Sequence, residues 1–230
     1  MPTVQLFATC LGDLVFPDAA RDAELLLRGA GFDVEFPGGQ VCCGQPAFNS
    51  GHRAAARRVA RTFVRSFSRS APVVVPAGSC ATMAARFLPE LVGCEPFDVW
   101  ELSAFLDAQG VTPARRNEGR RVAYHDSCHM LRELRIADPP RRLLEASGAE
   151  IVPLPRPDLC CGFGGTFSVT EEAVSAAMGI DKLARIGEGG ARYVVSSDMS
   201  CLIHLEGCAH RYREDFKFMH LAQVLNGDAA

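Results

Sequence analysis

The stretch Val41-Cys42-Cys43-Gly44-Gln45 decides how the rest of the chain is read, because it returns in the second half as Leu159-Cys160-Cys161-Gly162-Phe163. In both copies a lone cysteine stands at the same interval upstream, Cys10 and Cys128, and a further one follows, Cys80 and Cys201. Only Cys94 and Cys208 stand outside this pattern. The match continues beyond the thiols, since Trp100-Glu101-Leu102-Ser103-Ala104-Phe105-Leu106 lines up with Met219-His220-Leu221-Ala222-Gln223-Val224-Leu225. One unit is written twice over almost the whole chain.

Around these thiols, short β-type runs alternate with helical ones. Apolar or alternating segments at residues 4–8, 32–36, 72–76 and 98–102 read as strands, and 121–124, 150–154 and 192–195 repeat them. Helices are expected from Asp18 to the glycines at 29 and 31, over 49–67, after Cys80, over 104–106, over 139–147, and over 170–186 with Thr170 as N-cap. Strand–helix alternation at these lengths implies an α/β fold of two repeats related by a pseudo-two-fold axis. Each repeat has a small, mainly parallel sheet flanked by helices. The expected boundaries are residues 1–111 and 121–230, with a polar linker at 112–120.

Composition narrows the classes. A chain of 230 residues with 48% hydrophobic and 22% charged residues is long enough to pack a core without staples. The net charge is −3 and the arginines read as spread along the chain, which argues against a nucleic-acid or anionic-membrane binder. The N-terminus lacks a basic region and a long apolar run, and no segment reaches the ~18 apolar residues of a membrane span. The expected location is the cytoplasm, where thiols stay reduced. Regularly spaced cysteines there point to metal or redox chemistry, not structural disulfides.

Convergence of the thiols follows from the strand assignments. In a parallel α/β sheet, the loops after the carboxyl ends of the strands share one edge. Three loops in each half would bring four thiols together. Adjacent cysteines serve one site only if the chain turns between them, and a glycine supplies that turn. Four thiolates suit zinc or iron–sulfur; zinc usually takes cysteines in short-gapped pairs, so adjacent cysteines fit a larger cluster better. A reactive thiol pair stays open as a further reading.

At this point the residues resemble a known family. The doubled Cys-xn-Cys-Cys-Gly-xm-Cys pattern is similar to the cysteine-rich CCG domain found in heterodisulfide reductase and in the iron–sulfur subunit of glycolate oxidase. The runs Cys42–Gly51, Pro76–Cys80, Cys160–Val169 and Asp198–Leu202 resemble the lactate-utilisation A family more closely. That resemblance implies an iron–sulfur electron-transfer subunit of a complex oxidising L-lactate to pyruvate, acting with two partner proteins, one carrying ferredoxin-type clusters. It implies a subunit that does not act as a dehydrogenase by itself. It also implies one or two [4Fe-4S] clusters, cubane or noncubane, on Cys10, Cys42, Cys43 and Cys80 and on Cys128, Cys160, Cys161 and Cys201.

Heterodisulfide reductase relatives add a fifth cysteine, which is Met83 here in the first half and His204 in the second. Met83 reads as core, and His204 as either a further ligand or packing. Cys208 and Cys94 read as core. His125 and His129, flanking Cys128, are expected to support the sulfurs by hydrogen bonding, with Gly44 and Gly162 allowing close backbone approach. His220 is either such a donor or a surface residue. Gly162-Phe163-Gly164-Gly165 has no following Lys-Ser/Thr and does not read as a phosphate loop. Three functions remain: electron carrier, disulfide chemistry at a cluster as in the heterodisulfide relatives, and a zinc-stabilised interaction module.

Overall fold

The computed structural model describes residues 1–227, so the last three residues of the C-terminal repeat lie outside the described residues. The first half runs β1 (Thr3–Leu6), α1 (Cys10–Leu14), α2 (Pro17–Gly29), β2 (Asp33–Glu35), α3 (Gln45–Asn49), α4 (Arg53–Ser66), β3 (Val73–Val75) and α5 (Gly78–Thr82). A π-helical turn over Met83–Phe87 follows, then α6 (Leu88–Val92), β4 (Val99–Glu101) and α7 (Leu102–Ala108). The second half runs β5 (Arg121–Tyr124), α8 (Cys128–Arg132), α9 (Asp138–Ala146), β6 (Glu150–Ile151), α10 (Phe167–Thr170) and α11 (Glu172–Glu188). It closes with β7 (Tyr193–Ser196), α12 (Met199–Tyr212), β8 (Lys217–His220) and α13 (Leu221–Asn226).

Two four-stranded sheets result, ordered β2-β1-β3-β4 and β6-β5-β7-β8, with every pairing parallel. The α/β fold of two similar halves is therefore as the repeat implied. Strand β6 is shorter than expected, because Pro153 cannot donate to a ladder. Thr170 does not cap α11; it ends the separate short helix α10, and Glu171 occupies the cap position without a side-chain hydrogen bond. The stretch at 112–120 is pinned, since buried Asn117 donates to the Ser147 hydroxyl at 3.1 Å and the Val224 carbonyl at 2.8 Å.

The period of two along each strand explains the layering. One set of side chains, Val4, Leu6 and Val74 from the first sheet with Val122, Tyr124 and Val195 from the second, enters a single core shared by both halves. Helices α2, α7 and α13 fill that core with Ala23, Leu27, Leu102, Phe105, Leu106, Leu221 and Leu225, α2 packing on α13 and α7 on α9. The alternate set faces outward. Phe7, Val73 and Val75 meet Ala60 and Phe63 of α4, whereas Ala123 and Val194 meet Leu183 and Ile186 of α11 and Leu202 and Leu205 of α12. Each large apolar side chain so buried contributes about 1.5–3 kcal/mol.

The repeat positions Glu101 and His220 do the same job with different chemistry. His220 Nδ1 accepts the Ala222 amide at 3.1 Å and caps α13, while Nε2 donates to the Pro76 carbonyl of the other half at 3.0 Å. It is a buried inter-half strut, neither a sulfur donor nor a surface residue. Glu101 caps α7 by accepting the Ser103 amide at 2.8 Å, the Ala104 amide at 3.2 Å and the Ser103 hydroxyl, but its Oε1 has no partner.

Burial pushes the Glu101 carboxyl up to about 7. The folded chain thus holds this proton more tightly than the unfolded one, so the group's contribution to stability falls as pH rises from the ordinary carboxyl range through 7. Glu101→Gln should remove that slope and raise stability at pH 8 by about 1–3 kcal/mol, read from denaturant unfolding at pH 5, 6, 7 and 8. An unchanged slope would contradict the assignment.

Candidate metal centre

Each cysteine follows a strand, but two of the four in each half stand in or at helix starts and not in open loops. Cys10 and Cys128 open α1 and α8, and Cys80 and Cys201 lie in the first turns of α5 and α12. The adjacent pairs come from irregular segments that turn at Gly44 (φ 90°) and Gly162 (φ 97°). A side chain at Gly162 would collide with the Ser175 carbonyl oxygen, 2.5 Å from the ideal Cβ position, so glycine is required there for fit as well as for φ.

The pseudo-two-fold brings both carboxyl edges face to face. Helix α5, carrying Cys80, packs on α8, which carries Cys128, and α1 packs on α12 in the reciprocal way. All eight cysteines of the doubled pattern line one cavity of about 110 Å³ between the halves, with His129, Asp198 and Phe163. Cys10, Cys42, Cys43 and Cys80 form a chain of neighbouring thiols, and Cys128, Cys160, Cys161 and Cys201 form its copy. All are free thiols.

Cys42 and Cys160 are held well below the ordinary thiol range. Each accepts from its two neighbouring thiols and from the amide of the following glycine, Gly44 at 3.4 Å or Gly162 at 3.3 Å. The neighbours Cys10, Cys43, Cys128 and Cys161 are pushed up, by those shared hydrogen bonds first and by burial next. Each set thus favours negative charge on Cys42 or Cys160 first, and its raised neighbours need positive charge nearby before they ionise. A thiophilic cation meets that need, and an all-sulfur donor set suits zinc or iron.

The two sets differ in what surrounds them. His125 is fully buried with neither ring nitrogen hydrogen-bonded, and its ring lies within 4.8 Å of the Cys161 and Cys201 sulfurs. Burial, reinforced by the nearby Lys182 charge, holds it neutral, with its pKa down at about 3. Phe7 and Leu11 stand at the corresponding positions of the first half in place of His125 and His129. His129 lines the cavity, and its Nδ1 is buried without a partner.

His204 faces away from the sulfurs. Its Nε2 is 3.2 Å from the Ser175 carbonyl oxygen and 3.9 Å from Cys208 Sγ, behind the Gly162 turn. Met83 and Cys208 are buried in packing, while Cys94 is half-buried and away from the cavity.

Two site residues escaped the sequence reading. Asp198 caps α12 and joins the halves, its Oδ2 accepting the Ser79 amide at 2.7 Å and the Ser127 hydroxyl at 3.1 Å, and its Oδ1 accepting from Ser200. Its place before Ser200-Cys201 at a helix start was the available signal. Lys182 is buried in α11, with Nζ donating to the Pro157 carbonyl at 3.0 Å and the charges of Asp126, Cys161 and Cys201 near it. Flanked by Asp181 and Arg185 on a mixed-charge helix, it gives no sequence signal.

Comparison with known proteins agrees with the doubled site. The cysteine-rich domain family matches twice, over residues 4–84 and 122–206. Lactate utilization protein A of Oceanobacillus iheyensis is 38% identical over 97% of this chain and 96% of its own length, and that of Bacillus pumilus is 39% identical over 97% and 98%. Among solved structures, a hypothetical protein from Helicobacter pylori superposes with a TM-score of 0.61 at 10% identity. The match covers 99% of this chain, which spans about half (49%) of that one, and is a likeness of fold alone. With both halves matched and these relatives aligned nearly end to end, the chain belongs to the cysteine-rich CCG domain family, together with the proteins named lactate utilization protein A.

Proposed function

We propose that this chain is an iron–sulfur electron carrier within a cytoplasmic system that oxidises L-lactate to pyruvate, and that each thiol set holds its own [4Fe-4S] cluster. The observation that carries this reading is the pair of four-thiol chains facing one cavity. Lactate utilisation comes from the names of the relatives, which also imply a system of several proteins. Two partners, one with ferredoxin-type clusters, fit that system. No described helix is long and apolar enough to cross a membrane.

The spacing of the sulfurs favours a cluster over a lone ion. Four thiolates on one tetrahedral zinc, at about 2.3 Å from it, lie roughly 3.8 Å apart. Among the described residues, the one group of three metal-ligating side chains whose atoms lie within 4.8 Å of one another is His125, Cys161 and Cys201. Neither four-thiol set is that compact. This same trio favours a second reading, a structural zinc in the second half and an interaction role without redox.

When bound, an iron–sulfur cluster supplies reversible one-electron storage. The chain's own residues would do the rest. Cys10, Cys42, Cys43 and Cys80 would anchor the first group and Cys128, Cys160, Cys161 and Cys201 the second. The packed helix starts bury Cys43, Cys80, Cys161 and Cys201, and Asp198 ties the two edges together. His125 would donate a hydrogen bond to sulfur in the second half, where Phe7 offers none in the first.

Purification without oxygen, followed by iron, zinc and sulfide analysis, should give iron and sulfide with visible charge-transfer absorbance; zinc alone would sink the reading. Cys80→Ser should remove about half of the iron, and Cys80→Ser with Cys201→Ser nearly all. Loss of all iron in the single variant would show one shared cluster instead.

His125→Phe should lower the reduction potential of one group and leave the other in place. The expected shift is about 60–120 mV, equivalent to the ~1.5–3 kcal/mol of a hydrogen bond to a charged acceptor. A redox titration followed by electron paramagnetic resonance reads it. Two unmoved potentials would contradict the role given to His125.

A further inference from the structure

Between Glu35 and Glu90 the chain carries no acidic residue and seven arginines. The whole chain has a net charge of −3, so the remainder carries −10. The arginines that look dispersed in the sequence are gathered by helix α4. Arg53, Arg57, Arg61 and Arg65 recur every fourth residue, which stacks them in one stripe about 18 Å long, with Arg58 beside it and Arg69 just past its end. All six are exposed.

Among the described residues, none of the six is ion-paired with a carboxylate. Arg53 stacks on Phe48, Arg57 donates to the Leu91 carbonyl, Arg65 donates to the Arg61 carbonyl and Arg69 donates to the Glu95 carbonyl. Arg58 and Arg61, with Arg57 and Ala54, rim a shallow surface hollow. Like charges at this spacing repel and weaken a helix. The equivalent helix of the second half, α11, has no such stripe: its charges are Glu172, Asp181, Lys182, Arg185 and Glu188.

The inner face of this helix touches the sulfur site. Ala56, Ala60 and Phe63 are buried, and the ideal Cβ position of Gly44 lies 3.5 Å from the Ala56 carbonyl and from Val59. Hence the stripe lies about one helix diameter, roughly 10 Å, from the Cys42-Cys43-Gly44 turn. A self-repelling guanidinium row beside one thiol set is complementary to a surface of carboxylates, which a planar guanidinium grips in a bidentate fork.

We propose that the arginine stripe of α4 is the docking face for an acidic redox protein that exchanges electrons with the first-half sulfur site. The exchange and the choice of a redox protein as occupant rest on the electron-carrier reading above; the charge complementarity of the face does not. Proximity selects a protein over other polyanions, because a one-electron partner gains from lying against the helix that covers the Cys42-Cys43 turn, whereas a nucleic acid or a lipid surface gains nothing from it. Long-range attraction between opposite charges also speeds encounter, an effect that salt screens.

The test uses the full chain, loaded without oxygen, and an acidic plant-type ferredoxin as probe. Stopped-flow reduction by this ferredoxin should be at least tenfold slower in the triple variant Arg58→Gln, Arg61→Gln, Arg65→Gln, and its steep salt dependence should flatten. Reduction by methyl viologen radical, a small cation, should be no slower, and the thermal midpoint equal or higher. A single Arg58→Glu variant should slow the ferredoxin reaction in the same direction.

Equal ferredoxin rates in wild type and variants would overturn the docking face. So would tighter binding of duplex DNA or phosphatidylserine vesicles than of ferredoxin in an equilibrium assay at the same salt. If no chromophore forms, the electron-carrier reading fails, and the same binding assay with unloaded chain decides the docking face by itself.

Discussion

Everything in this molecule depends on two parallel sheets presenting their carboxyl edges to one another. A parallel sheet gathers the starts of its following helices on one edge. Here the shared core fixes one such edge against a copy of itself, and eight thiols meet at a single cavity. The sulfurs come from segments far apart in sequence, so no local stretch could hold them; the fold is the ligand frame. Struts across the divide keep that frame closed, with His220 on the Pro76 carbonyl and Asp198 on the Ser79 amide.

Duplication supplies symmetry, and the departures from it supply direction. The two thiol chains are near copies, yet the second has His125, Lys182 and the Arg141–Asp126 pair close by, the latter at 2.7 Å. The first has Phe7 and Leu11 there and a basic helix at its back. Identical sulfur sets in unlike surroundings hold charge at different cost, because hydrogen bonds and nearby charges act strongly where water is excluded. Under the proposed carrier role the two sites would be unequal stations, with the proposed docking face nearest the first.

The alternation of strands and helices was legible because its period and turn residues are local, and the thiol pattern was legible because it occurs twice. What remained hidden was three-dimensional. His204 sits three residues after Cys201, where a ligand would be sought, but the Gly162 turn and Ser175 claim its ring. Lys182 is buried beside Asp181 and one turn from Arg185, with nothing local to mark it, since its carbonyl partner at Pro157 comes from a distant loop. The arginines escaped notice for the opposite reason: they are scattered by count but aligned by the 3.6-residue turn of α4.

The central claim is that the facing thiol sets hold two redox-active clusters in one cavity. Electron paramagnetic resonance on the anaerobically reconstituted chain, recorded during stepwise reduction, tests it most directly. The account predicts two paramagnetic species with separate midpoints, whose signals broaden through mutual magnetic interaction once both are reduced. A protein that binds stoichiometric zinc and stays silent at every potential would contradict it.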